Sequence, residues 1–236
     1  MRAQVELAAL VKQRPDALVS FATGTTYKAF YGEIEQEVAD GRMDLSQFRA
    51  THLDEFLGFR PDTRGGFANE LFGCAPLRQA YDEGRFFPVP SSGEDADLRA
   101  HEASLRAMGD VQLQFLGIGG NGHIAFSEPG TPLDCGFHKT RLAASTIAVL
   151  ESHFAPDPVP EEAVTAGPAS ILQARRVVMV ATGSGKAKAV RDMMEGDISA
   201  ACPASVIRHH PNALVLLDSA AAAGLDWPRL ETAVQP

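Results

Sequence analysis

Cysteine is scarce in this chain, with three in 236 residues, and there is one tryptophan. Cys74, Cys135 and Cys202 are far apart and odd in number. They supply neither a disulfide framework nor a zinc-ligand spacing, so a reducing, cytoplasmic setting is expected. Long apolar runs are also missing. None approaches the ~20 residues a membrane helix needs, and the N-terminus lacks the basic segment and apolar core of a secretory signal. Positive charge is in deficit, 21 Lys and Arg against 30 Asp and Glu, for a formal net charge of -9. No Lys/Arg cluster forms a basic face, which argues against a nucleic-acid partner. An acidic chain still holds a small anion where helix N-termini and a lysine supply local positive potential.

What is present is an apolar fraction of 45%, enough for one well-buried α/β domain spanning residues 1–236. Five short segments read as buried strands: Ala17–Ala22, Phe48–Leu53, Val111–Ile118, Arg176–Ala181 and Asn212–Leu217. Most are near-continuous apolar runs, the pattern of a parallel sheet covered on both faces. Helical patterns lie between them at Tyr27–Asp40, Phe67–Glu83, Asp95–Met108 and Lys186–Glu195. This alternation predicts a doubly wound, mostly parallel, Rossmann-like sheet flanked by helices. Pro88–Asp95 reads as a surface connection capping the next helix. Ala155–Glu162, rich in proline, reads as a linker in preference to the border of a mobile lid. The Ala-rich Ser219–Gly224 reads as a terminal helix.

The most informative stretch runs from Phe115 to Pro129, FLGIGGNGHIAFSEP. An apolar strand leads into four glycines, then an amide, an imidazole and a carboxylate. Glycines let the backbone turn tightly and approach a ligand, and His with Glu is a common means of moving protons at neutral pH. Gly117, Gly119 and Gly122 also satisfy G-x-G-x-x-G, the dinucleotide fingerprint. That reading needs a long helix after the third glycine, and Pro129, Gly130 and Pro132 leave no room for one.

In a doubly wound sheet, ligands bind beyond the carboxyl ends of the strands. Four strands here end in polar or glycine-rich loops. The first is followed by Thr23-Gly24-Thr25-Thr26, the second by Asp54-Glu55, the third by the loop with His123 and Glu128, and the fourth by Thr182-Gly183-Ser184-Gly185-Lys186. All four together argue for one shared cleft. The threonine loop suits a phosphate at a helix start, and it equally suits a plain N-cap. Lys186 could add charge, but with Val180 and Ala187 flanking the loop this is no Walker A motif, so a phosphorylated small molecule is expected over a nucleoside triphosphate. One of Asp54 and Glu55 is expected to face the cleft. His138, His209 and His210 lack metal-ligand spacing, so no metal site is expected, and the last two read as surface or capping residues.

These motifs, in this order and spacing, resemble the glucosamine-6-phosphate deaminase family, in a wider sugar-phosphate group that includes galactosamine-6-phosphate deaminase/isomerases and 6-phosphogluconolactonases. The resemblance covers nearly the whole chain, through Cys202-Pro203-Ala204-Ser205 and the last strand, and is most specific over Asn121–Pro129. Lactonases typically continue differently after Gly-His. The resemblance implies a cytoplasmic enzyme without a cofactor, acting on an amino-sugar phosphate and able to assemble with its own copies. It implies Asp54 as the base at C2, His123 with Glu128 and Asn121 as the ring-opening group, and Thr23, Gly24, Thr25, Thr26, Gly120 and Lys186 as the substrate-binding set. The chain departs from the pattern at Thr25, where a small Gly or Ser is usual, and at Tyr27, where Pro is common. Ile147 falls near the place of a phosphate-contacting arginine, so either Lys139 or Arg141 upstream substitutes for it, or the phosphate is held more weakly, or the substrate differs. An N-terminal strand and part of a helix usual in such proteins are expected to be missing.

Overall fold

The computed structural model describes residues 2–228. In chain order it comprises α1 (Arg2–Gln13), β1 (Leu18–Phe21), α2 (Lys28–Ala39), β2 (Arg49–His52), β3 (Asp54–Phe56), α3 (Phe67–Leu71), α4 (Ala75–Asp82), β4 (Phe86–Phe87) and α5 (Asp95–Ala107). There follow β5 (Leu113–Leu116), β6 (His138–Arg141), α6 (Ala144–Phe154), β7 (Glu162–Thr165), α7 (Pro168–Leu172), β8 (Val177–Ala181), α8 (Ala187–Glu195) and β9 (Ala213–Leu217).

The main sheet has six strands in the order β4-β2-β1-β5-β8-β9, all parallel. Its central strands are fully buried runs such as Leu18–Phe21 and Val177–Ala181, as a sheet covered by helices requires. The edge strand β9 is equally apolar but only half covered. The core joins these strands to Phe30, Ile34 and Leu71 from the helices, with Phe30 and Phe115 rings 4.8 Å apart.

All five predicted strands are present, though shorter than read. The Phe67–Glu83 helix is two, α3 and α4, because Pro76 has no N–H to donate and Cys74 takes an extended conformation ahead of it. Ser219–Gly224 forms turns, not a helix. A helix of 12 residues, α1, precedes β1.

A second sheet, unforeseen in the sequence, has the antiparallel order β3-β7-β6. It positions the candidate site. At Leu53 the chain leaves the parallel sheet and enters this one, and the Leu53 carbonyl accepts the Ala166 N–H at 2.7 Å. Asp54 is thereby set opposite Thr165 in register.

Candidate active site

Glycine geometry shapes the loop after β5. Gly122 has φ +89°, a conformation only glycine adopts readily. Gly119 sits so close to His123 that a Cβ there would lie 2.3 Å from the imidazole, so any other residue displaces the ring. Ala125 is held at φ +49°, a local cost of the kind that gathers at functional loops.

The loop delivers Glu128 into a shell of donors. Asn121 Nδ2 donates to Oε2 at 2.8 Å and His123 Nδ1 lies 3.3 Å from the same oxygen. The Thr146 hydroxyl and the Ala143 N–H, the latter at 3.2 Å, donate to Oε1. Burial pushes this carboxyl up, but hydrogen bonds from His123 and Thr146, the imidazole's charge and Asn121 outweigh it and hold the value down at about 2. Asn121, His123 and Glu128 are therefore one connected group, as the sequence suggested. Thr146 and Ala143, at the start of α6, were missed because that helix carries no polar motif.

Asp54 is the opposite case. Its side chain is buried and, among the described residues, accepts no hydrogen bond and joins no ion pair. Burial, then the nearby carboxylates of Glu55 and Glu70, push its carboxyl well above the ordinary range. Of the adjacent acids Asp54 and Glu55, the second has a structural task. It accepts the N–H groups of Phe56, Phe67 and Ala68, each at 3.0 Å, and so caps α3.

The end of β7 links Asp54 to the His123/Glu128 loop. Thr165, opposite Asp54, accepts the Phe126 N–H through its Oγ1 at 2.9 Å, and Ser127 Oγ donates to the Ala166 carbonyl at 3.0 Å. Phe56, Phe67 and Phe126 pack together behind the loop, with ring separations of 4.8 to 5.7 Å.

Two further loops adjoin this group. Gly24, at φ +95°, turns the chain into a short 3-10 segment, Thr25–Tyr27, ahead of α2. The hydroxyls of Thr23, Thr25 and Thr26 make no side-chain cap there, which removes the plain N-cap reading. The Gly24 N–H is held by Glu70 at 3.2 Å. Tyr27 is buried and donates its hydroxyl to the Leu116 carbonyl at 2.8 Å, tying this loop to the end of β5. In the loop after β8, Gly183 repeats the same geometry with φ +87°, its N–H held by Asp218 at 3.0 Å. Gly120 neighbours Gly185, and a Cβ at Gly120 would meet the Gly185 carbonyl at an ordinary contact distance of 3.6 Å. Lys186 follows, half-buried, with no carboxylate partner among the described residues, and burial lowers its pKa.

Some expectations are corrected. Lys139 and Arg141 form exposed ion pairs with Glu162 and Glu161, and Ile147 packs in the aromatic cluster. His210 is not at the surface: it is buried, accepts the Asn212 N–H at 3.1 Å and bridges to the Ala174 carbonyl at 2.7 Å. Among the described residues no group of three His, Cys, Asp or Glu could hold a metal, and no helix is long and apolar enough to cross a membrane.

Fold and site together define a doubly wound α/β protein with a bonded amide, imidazole and carboxylate at the carboxyl ends of its strands, beside two glycine-led helix starts. The chain belongs to the glucosamine-6-phosphate isomerase/6-phosphogluconolactonase family, whose model matches residues 2–216. It is 39% identical over 199 residues to a glucosamine-6-phosphate deaminase of Lactobacillus delbrueckii subsp. bulgaricus, covering 81% of this chain and 82% of that one. A solved monomeric glucosamine-6-phosphate deaminase superposes with a TM-score of 0.83 at 30% identity, over 93% of this chain and 92% of that one. The 6-phosphogluconolactonase of Trypanosoma brucei shares the fold, with a TM-score of 0.69 at 21% identity, over 95% and 92% of the two chains.

Proposed function

We propose that this chain, acting as a single catalytic domain in the cytoplasm, converts glucosamine 6-phosphate and water into fructose 6-phosphate and ammonia. Its relatedness to named deaminases supports the overall reaction. The observation that carries the assignment to residues is the contrast between an unpaired, buried Asp54 and a bonded Asn121–His123–Glu128 group joined across β7.

The chemistry asks for these groups. A cyclic amino sugar has no free carbonyl, so a proton must leave O1 and one must reach O5. His123 moves both, oriented by Glu128, while Asn121 steadies the carboxylate. In the open form C2 lies beside the aldehyde, and Asp54 removes its proton. A carboxyl pushed up by burial is a stronger base than an exposed one. Protonation at C1 leaves an imine at C2, which water cleaves to the ketone and ammonia. Lys186, the loop of Thr23, Gly24, Thr25 and Thr26, and Gly120 receive the phosphate and neighbouring oxygens. No step calls for a cofactor.

Purified protein given glucosamine 6-phosphate is expected to release ammonia and fructose 6-phosphate in equal amounts. Galactosamine 6-phosphate and 6-phosphogluconolactone, run beside it, test the two alternatives, and faster turnover of either would replace this substrate. Sedimentation under assay conditions tests whether the chain works as a homo-oligomer or as a monomer.

A further inference from the structure

His52 is a buried imidazole two residues before Asp54, at the last position of β2. It stands at the corner where the chain passes from one sheet to the other. Its Nε2 accepts the Val89 N–H at 2.9 Å, which fixes the tautomer, because the accepting nitrogen cannot also carry the proton. The proton is therefore on Nδ1. That nitrogen lies near the main chain of Asp54, but no group closes a full hydrogen bond to it. The ring packs against Phe86, 5.6 Å between centroids.

The surroundings keep this imidazole neutral. A second buried histidine, His101 on α5, also has an unpartnered nitrogen, Nε2, and is close enough for its charge to oppose one on His52. A cavity of about 40 Å³ adjoins His52, lined among others by Ser20, Thr51 and Gln114 from three neighbouring strands. Burial, followed by His101, lowers the His52 pKa to about 3. A purely structural corner would favour an apolar side chain, since an orphaned buried N–H is costly.

We propose that His52 is a positioning residue for Asp54, a neutral imidazole that clamps the β2–β3 corner to the Val89 loop and so aims the Asp54 carboxylate without placing a cation or a competing donor on it. This rests on the assignment of Asp54 as the base. Neutrality matters because a cation at this point would stabilise the carboxylate and weaken it as a base. The corner has two other ties, the Ala166 N–H on Leu53 and the Thr165 register, so losing His52 should shift Asp54 without unfolding β3.

The test compares His52→Gln, whose amide oxygen reaches the Nε2 position and can still accept from Val89, with His52→Leu, which cannot. Each is assayed well below its own melting midpoint. His52→Leu is expected to lower kcat about 10- to 100-fold with KM within about twofold, as a displacement of roughly 1 Å of a reacting group does. Its exchange of the C2 proton with solvent should fall by the same factor, and His52→Gln should recover most of both. Wild-type kcat and C2 exchange in folded His52→Leu would overturn the proposal, as would a loss confined to KM. If Asp54→Asn itself turns over at the wild-type rate, the base assignment fails. If Asp54→Asn is inactive while His52→Leu is not impaired, only the His52 inference fails.

Discussion

Asp54 and Glu128 are both carboxylates at most 8% exposed, yet the protein treats them in opposite ways. Asp54 has no donor and is pushed up by burial and by Glu55 and Glu70. Glu128 also feels burial as its largest single influence, but hydrogen bonds from His123, Thr146 and Asn121, with the imidazole's charge, reverse the sign. Burial alone does not set the character of an acid; the bonds offered to its charged form do. In the proposed reaction Asp54 serves as the base and Glu128 as the anion that orients an imidazole. Pairs of acids driven apart in this way are a recurring arrangement in proton-transfer sites.

Removing the Asp54 charge should have the largest effect. Asp54→Asn is expected to lower kcat by about 10²–10⁴-fold, the usual worth of a placed base. It should also raise the melting midpoint at neutral pH. The folded pKa lies above the unfolded one, so stability falls as pH rises between them, and the neutral amide escapes that cost. A variant both inactive and more stable would sharpen the contrast. One that is active, or inactive and less stable, would break it.

Next comes Gly119→Ala, which strikes the other partner by sterics. A methyl there overlaps the His123 ring, so kcat should drop about 10²-fold, as for a misplaced catalytic group, in a protein whose circular dichroism is unchanged. Full activity in this variant would mean that the imidazole need not hold its observed position.

Glu128→Gln should cost less in rate, about 10- to 100-fold in kcat, and more in stability, about 1.5–3 kcal/mol from its charge-assisted hydrogen bonds. Here the sign is the reverse of that for Asp54. The folded pKa of about 2 lies below the ordinary 4.5, so the stabilisation is complete above 4.5 and is lost as pH falls toward 2. Melting curves of wild type and variant should therefore converge at acid pH. A gap that stays constant from pH 7 to pH 3 would show that the bonded carboxylate is not its source.

The main sheet was legible because buried parallel strands such as Val177–Ala181 are unbroken apolar runs that no surface element imitates. The second sheet was not legible. Its strands are Asp-Glu-Phe, His-Lys-Thr-Arg and Glu-Ala-Val-Thr, short and polar, and they become strands only by pairing with one another. Helix α6 was hidden in the same way, since Ala-Ser-Thr-Ile-Ala-Val-Leu lacks a clear polar face. Of the candidate site, the Asn121–Glu128 group could be read because its members are neighbours in the chain. Thr146, Thr165 and Glu70 could not, because each reaches its partner across a sheet or a loop.

The order of residues along the chain thus determined which chemistry was on offer: an amide, an imidazole and a carboxylate beside glycines, a lysine after a turn, and two acids at a strand end. It did not decide between Asp54 and Glu55. That choice belongs to tertiary structure, because only when α3 lays two of its unpaired N–H groups, those of Phe67 and Ala68, on Glu55 does that carboxylate become a cap, leaving Asp54 without donors. Whether an acid is held as an anion or made to seek a proton depends on what packs around it, and those neighbours come from distant parts of the chain.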